Sequence, residues 1–322
     1  MVQIVCTLLL FMVIIFPIGN YVYHVSVGKR TFADPVFDKM DNFVFRILKI
    51  DTSTMTWKKY AMSLLMVNLC LVFIGYLILR IQSIGFLNPN GISGMEESLS
   101  FNTIISFMTN TNLQHYAGES GLSYLSQMLV IIMMMFTSAA TGFSACVAMV
   151  RGLLGKKMGN FYVDFIRIIN RFLLPLSMII GLFLVWQGVP QNLNSNIELT
   201  TIEGKIQEIA SGPIAALESI KHLGTNGGGF LGANSSTPLE NPTIISNILE
   251  LYSMMLLPAA CVFTFGHMAY DKYQERKVSD SNIISTKEKK SFKKKIWMGK
   301  EGRTIFVAMS ILFVIGLGIC YY

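Results

Sequence analysis

Six long apolar runs, separated by segments that hold nearly all of the charge, leave this chain one solvent in which it can fold: a lipid bilayer. They cover residues 1–23, 60–79, 122–150, 168–186, 243–270 and 304–321, each long enough to span a hydrocarbon layer of roughly 30 Å. The longest, 122–150, has length to spare and predicts a tilted span. With 52% hydrophobic and only 14% charged residues, the chain has too little charge to solvate the surface of a water-soluble fold of this size. The fold class expected is an all-α polytopic membrane protein. The first run lacks a basic leader and a small-residue cleavage site, so it reads as a retained helix rather than a signal peptide. Pro175 and Pro258 fall inside runs, where neighbouring helices can satisfy the carbonyls they free.

A net charge of +7 raises the question of nucleic acid, but the basic residues gather in particular loops instead of forming one patch. Segments 25–59, 151–157 and 271–303 carry seven, three and eleven Lys or Arg, whereas 80–121 holds only Arg80 and 187–242 only Lys205 and Lys221. That asymmetry places the first set in the cytoplasm and both termini of this chain outside. Asp164, Arg167 and Arg171 then suit the cytoplasmic start of the fourth run, and Arg80 an interfacial anchor. The Lys-rich stretch Lys287, Lys289, Lys290, Lys293, Lys294, Lys295 and Lys300 is read first as a solvated, topology-setting loop and second as a contact for anionic lipid. Five cysteines lie in or at the ends of apolar runs without CxxC spacing, as packing thiols do, and Met133-Met134-Met135 reads as span packing.

Two short stretches, 100–108 and 213–222, are too brief to cross: as helix each reaches roughly 15 Å, half the bilayer. Each is followed by a polar strip, Thr109-Asn110-Thr111-Asn112 and Gly224-Thr225-Asn226-Gly227-Gly228-Gly229. Irregular backbone at membrane depth is tolerated only when buried in protein or lining a wet cavity. Carbonyl oxygens of such a strip can replace the hydration shell of a monovalent cation, helped by the negative ends of the half-helices. Glycines at 224 and 227 to 229 are expected to supply the positive φ that inward-pointing carbonyls require. Superposing Thr111-Asn112 on Thr225-Asn226 gives an offset of 114 that also pairs Tyr116 with Phe230 and Gly118 with Gly232. The expected organisation is an extra helix at 1–24, span-pore-span repeats at 60–150 and 168–270, a basic loop at 271–303, and the first span of a third repeat at 304–322.

Residues 107–119, Phe-Met-Thr-Asn-Thr-Asn-Leu-Gln-His-Tyr-Ala-Gly-Glu, resemble the first filter of the channel-like KdpA subunit family of potassium-importing ATPases. Leu223 to Phe230, continuing through Ala233-Asn234-Ser235 to Pro238-Leu239-Glu240-Asn241-Pro242, resemble that family's second filter, and the likeness extends over the whole chain. The resemblance implies a subunit of the bacterial cell membrane that selects K⁺, the transported ion, from outside and passes it to a P-type ATPase catalytic subunit. It implies further small single-span subunits, membrane lipid as surroundings, no nucleic acid and no organic cofactor. Carried onto this chain, Thr109, Asn110, Thr111, Asn112, Gly224, Thr225, Asn226 and Gly227 are the ion-contacting residues, mainly through backbone carbonyls, with Gln114, Glu218, Gly228 and Gly229 as support. An uptake system of the Trk or Ktr kind shares the repeat pattern, and the 224–242 match argues against it.

Family members carry four repeats, and two filters make half a ring, so the chain alone is expected not to conduct. A second fragment or self-pairing could complete it; a non-conducting assembly protein is the remaining reading. Neither a phosphate-binding GxxxxGK[ST] loop nor an Asp-Lys-Thr-Gly phosphorylation motif is present, so any ATP chemistry belongs to a partner. His115 with Glu119 and Glu218 with His222 have helical spacing but no nucleophile beside them, and Glu240 reads as an anchor for the start of the fifth run.

Overall fold

The computed structural model describes residues 2–280 and 299–321. Nine helices of eight or more residues, a single helical turn at Gly118–Gly121 and one hairpin are seen among them. Six helices are long and apolar enough to cross a membrane: α1 (Val2–Val27), α3 (Trp57–Ile81), α5 (Tyr124–Leu153), α6 (Phe161–Trp186), α8 (Ile244–Asp280) and α9 (Lys300–Tyr321). The all-α polytopic architecture is therefore the one the chain adopts. Lys287, Lys289, Lys290, Lys293, Lys294 and Lys295 lie outside the described residues. Lys300 opens α9, and α8 stays helical to Asp280, ten residues beyond the apolar run.

Caps explain why several helices overrun their apolar segments. Thr56 Oγ1 accepts the Lys59 amide at 3.3 Å to start α3. Asn160 Oδ1 accepts those of Tyr162 and Val163 at 3.0 and 3.4 Å, starting α6 seven residues before the fourth apolar run. Both α5 and α6 carry one π-helical turn, at Gln127–Ile132 and Ile169–Leu173. The second ends two residues before Pro175, and the Arg171 carbonyl, four residues before that proline, accepts the Tyr21 hydroxyl at 2.7 Å.

Two half-helices sit among these spans. One, α4 (Glu97–Met108), packs on α3 and α5; the other, α7 (Ile214–Leu223), packs on α6 and α8. Ile104, Phe107, Met135, Ile220, Phe230 and Phe263 belong to the fully buried centre, which α1 closes by lying along α8. Gly19 makes that approach possible, since a Cβ there would stand 2.5 Å from the Phe263 ring. The helix α9 packs on α8 through Phe306 against Phe263, ring centroids 5.9 Å apart, and exposes most of its length.

Segment 25–59, expected only to be polar, folds in part into α2 (Asp34–Ile47). Its acidic face grips Arg171 of α6: Asp41 accepts from Nε and Nη2 at 2.9 and 2.7 Å, Asp34 from Nη1 at 2.8 Å and Asp38 from Nη2 at 2.6 Å. A second interior pair joins Arg151 to Asp164, which also accepts the Tyr60 hydroxyl at 3.0 Å. Asp164 and Arg171, assigned by sequence to the start of the fourth run, are each buried in a separate ion pair. Strands β1 (Ile197–Thr200) and β2 (Ile206–Ile209) pair antiparallel in an exposed hairpin that hydropathy does not announce.

Candidate functional site

The half-helices end in the same backbone shape. Thr109, the last-turn cap of α4, has φ −84° and ψ 3°; Gly224, the cap of α7, has φ −84° and ψ 4°. The next residues turn left-handed, Asn110 at φ 58° and Thr225 at φ 56°. Amide bonds match as well: Thr109 to Ile105 O and Gly224 to Ile220 O, Asn110 to Phe107 O and Thr225 to His222 O, Thr111 to Ser106 O and Asn226 to Lys221 O. Every pair is separated by 115 residues, not by the 114 that identity suggested. Thr-Asn occurs twice in the first strip, at 109–110 and 111–112, so matching side chains selects a wrong register. Tyr116 and Gly118, paired by sequence with Phe230 and Gly232, instead touch them crosswise: a Cβ on Gly118 would meet Phe230 O at 2.1 Å, and one on Gly232 would meet Tyr116 O at 3.3 Å.

Positive φ also falls elsewhere than expected. Gly228 (75°) and Gly229 (142°) have it, but Gly224 and Gly227 do not. Asn110, Asn112 (56°) and Thr225 carry the left-handed turns, a region that asparagine tolerates and that is unusual for the β-branched Thr225. Gly224 is required for space: a Cβ there would lie 2.5 Å from Asn226 Nδ2, 2.9 Å from Ile220 O and 3.0 Å from Met135 O. Gly227 has ordinary room, its nearest neighbour 3.4 Å away.

The strips lie side by side and are bonded to one another. Asn110 Nδ2 donates toward Thr225 Oγ1, Thr225 O and Gly224 O at 3.2, 3.4 and 3.5 Å, and Asn112 Nδ2 donates to Asn110 Oδ1 at 3.3 Å. Ser138 of α5 reaches both strips, to Asn110 Oδ1 at 3.3 Å and Asn226 Oδ1 at 3.2 Å, while Asn226 Nδ2 donates to Met135 O at 3.2 Å. Farther along, the Gln114 amide clasps Gly229, donating to its carbonyl at 3.2 Å and accepting its N–H at 3.1 Å. Asn234 Oδ1 accepts the Gly228 amide at 2.6 Å. Thr109 and Thr111 bond to each other through their hydroxyls at 2.9 Å. Ser138 escaped sequence reasoning, which names Asn234 only as part of the stretch after the second strip, without a role. A cavity of about 650 Å³ adjoins both strips, lined by Asn68, Ile105, Asn110, Thr141, Thr225 and Pro258 among others.

Behind the second strip lies a buried ionic knot. Glu218 Oε2 stands 2.6 Å from Lys221 Nζ, 2.5 Å from Ser235 Oγ and 3.4 Å from His222 Nε2, and His222 also reaches Glu250 at 3.3 Å. Glu218, His222 and Glu250 bring ligand atoms within 4.8 Å of one another, but the Lys221 ammonium already occupies the cation's place beside Glu218. Glu240 does not anchor α8. It accepts the amides of Leu231 and Ser235 at 3.0 and 3.2 Å, and burial followed by the nearby Glu218 charge pushes its carboxyl up to about 7. The glycine backbone passes next to this knot: a Cβ on Gly229 would lie 2.8 Å from Glu240 Oε1 and 3.1 Å from Lys221 Nζ. Such an arrangement can present main-chain oxygens in a fixed form; Ser235 Oγ stands 2.9 Å from His222 Nε2, and it is buried and also bonded to Lys221 and Glu218.

Residues 5–322 match the family model described as KdpA, potassium-transporting ATPase A subunit. Similar proteins include the potassium-transporting ATPase potassium-binding subunit of Clostridium acetobutylicum, 54% identical over 268 residues, 83% of this chain and 48% of that protein. The protein of the same name from Geobacillus kaustophilus is 46% identical over 316 residues, 97% of this chain and 51% of its own. That of Staphylococcus haemolyticus is 45% identical over 322 residues, 99% and 54% respectively. The chain spans about half the length of the curated relatives it matches.

Proposed function

We propose, from the premise that this chain belongs to the potassium-transporting ATPase A subunit family, that its two strips are two sides of a K⁺ selectivity filter. The observation that carries this is the repeated cap at Thr109 and Gly224, with left-handed Asn110 and Thr225 after it, in two strips bonded side by side. K⁺ enters from the outside, sheds water against carbonyls of Thr109 to Asn112 and Gly224 to Gly227, and is held there by geometry rather than by a formal charge. Gln114, Gly228 and Gly229 fix the far end of the second strip, and Glu218 braces its half-helix. Residues 60–150 and 168–270 act as two equivalent span-pore-span units, displaced by 115 residues.

Two sides do not close a ring, so two further strips complete the conducting form, and these residues by themselves do not conduct. The chain is non-catalytic and hands the ion to a P-type ATPase catalytic subunit, with small single-span subunits beside it in a bacterial cell membrane. Basic loops lie on the cytoplasmic side, as the Lys and Arg asymmetry favours.

The test is ion selectivity in the complete transporter. Gly228→Asp places a side chain on a residue at φ 75° whose Cβ would stand 2.3 Å from Gln114 Oε1, so K⁺ over Na⁺ discrimination is expected to fall. Unchanged discrimination in a variant that still assembles would refute the filter assignment.

A further inference from the structure

The helix α2 carries three distinct faces. Asp34, Asp38 and Asp41 make one, bonded to Arg171, with Asp34 and Asp41 turned inward and Asp38 at the exposed edge. Val36, Met40, Phe43 and Ile47, at the spacing of a continuous helical stripe, make the second. Val36, Phe43 and Ile47 are 61%, 65% and 60% exposed, and Phe32 just ahead of the helix is 89% exposed. Lys39 and Arg46, with Lys49 past the helix end, form the third face beside the stripe, and all three are exposed.

The helix is held at a definite level. Tyr21, six residues before the end of α1, donates its hydroxyl to Arg171 O at 2.7 Å, so the residue that α2 grips lies alongside the last turns of a span. Tyr21 also meets Phe32, ring centroids 5.7 Å apart. Since α2 links two consecutive spans and is pinned beside their ends, its outward faces meet the boundary of the bilayer and not open water. An amphipathic helix in that place, apolar along one side and basic along the next, has the chemistry of an in-plane interfacial helix.

We propose that α2 lies in the membrane surface with Val36, Met40, Phe43 and Ile47 sunk at the acyl boundary and Lys39, Arg46 and Lys49 on anionic lipid headgroups. The occupant is a lipid surface because the stripe is flanked by exposed cations while all three acids of the helix are paired with Arg171, Asp34 and Asp41 in the interior. With its carboxylates so occupied, the helix presents net positive charge outward, complementary to anionic headgroups. The proposal is independent of the ion pathway, since no residue of α2 touches either strip.

Spin labels report the face directly. The full-length protein in its complete transporter, with its native cysteines replaced, receives single cysteines at Val36, Asn42, Phe43, Arg46 and Ile47. It is reconstituted in vesicles of phosphatidylcholine mixed with phosphatidylglycerol, or of phosphatidylcholine alone. Labels at 36, 43 and 47 are expected to be relaxed more by dissolved oxygen than by a water-soluble nickel chelate, and those at 42 and 46 the reverse. Removing phosphatidylglycerol is expected to bring label 43 closer to the water, and Lys39→Glu with Arg46→Glu and Lys49→Glu to abolish that difference. Preference for the chelate at 36, 43 and 47 would overturn the proposal, as would immobilised labels shielded from both reagents, the signature of a covering protein. Equal depth in the two kinds of vesicle would overturn its headgroup half.

Discussion

Arg171→Met tests whether a single buried guanidinium pins α2 to the spans. Arg171 and Asp41 have side chains 6% and 3% exposed and meet through two bonds, at 2.9 and 2.7 Å; Asp34, 16% exposed, adds a third at 2.8 Å. Deleting one member of such a pair leaves a charge stranded in a poorly solvated place, a loss of about 3–5 kcal/mol. Asp38 also bonds to the guanidinium, at 2.6 Å, but is 59% exposed, so Asp38→Ala is expected to cost under about 1 kcal/mol. Adding Asp41→Leu to Arg171→Met removes the stranded charge and is expected to recover a large part of the loss, since buried ion pairs replaced by apolar residues are often neutral. The readout is unfolding of the full-length protein in mixed detergent micelles, comparing the three variants with the parent. If Arg171→Met were no more harmful than Asp38→Ala, or if Asp41→Leu deepened the damage, the electrostatic account of this clamp would fail.

Further substitutions separate roles within the strips. Gly228→Ala, at a left-handed residue and against Gln114, is expected to lose roughly 2–3 kcal/mol of stability, whereas Gly227→Ala stays within about 1 kcal/mol, compared by thermal unfolding. Ser138→Ala removes a hydroxyl shared by Asn110 and Asn226 and is expected to cost about 1 kcal/mol and to weaken K⁺-dependent thermal protection of the complete transporter, with Thr137→Ala as a neighbouring control. Glu240 has a folded pKa of about 7, above its ordinary 4.5, so the fold binds its proton more tightly than the unfolded chain does. Its stabilising contribution is therefore full below about 4.5 and declines up to about 7. Relative to Glu240→Gln, the parent is expected to lose thermal stability through that window, and parallel profiles would contradict the assignment.

Much of this was legible in sequence for a physical reason: a bilayer imposes length and apolarity on every span, and these are written residue by residue. The half-helices were legible too, because a run that ends in polar residues after about 15 Å cannot cross. What escaped depended on partners distant in sequence. Asp34, Asp38 and Asp41 look like loop acids until Arg171 is brought to them from 130 or more residues away. The register failed because Thr-Asn repeats within the first strip, and what is conserved between the strips is a dihedral sequence, which two different residue types, Asn110 and Thr225, can both adopt. Glycine was expected to mark left-handed backbone, yet Gly224 serves as a gap that lets Met135 and Asn226 come close.

The bonds from Asn110 to Thr225 and from Gln114 to Gly229 make the strips a single mechanical body. Neither strip can shift without dragging the other, so in the proposed filter the width of the passage is a property of the pair. A change that enters through one strip is inherited by its neighbour, and the two are not free to specialise separately.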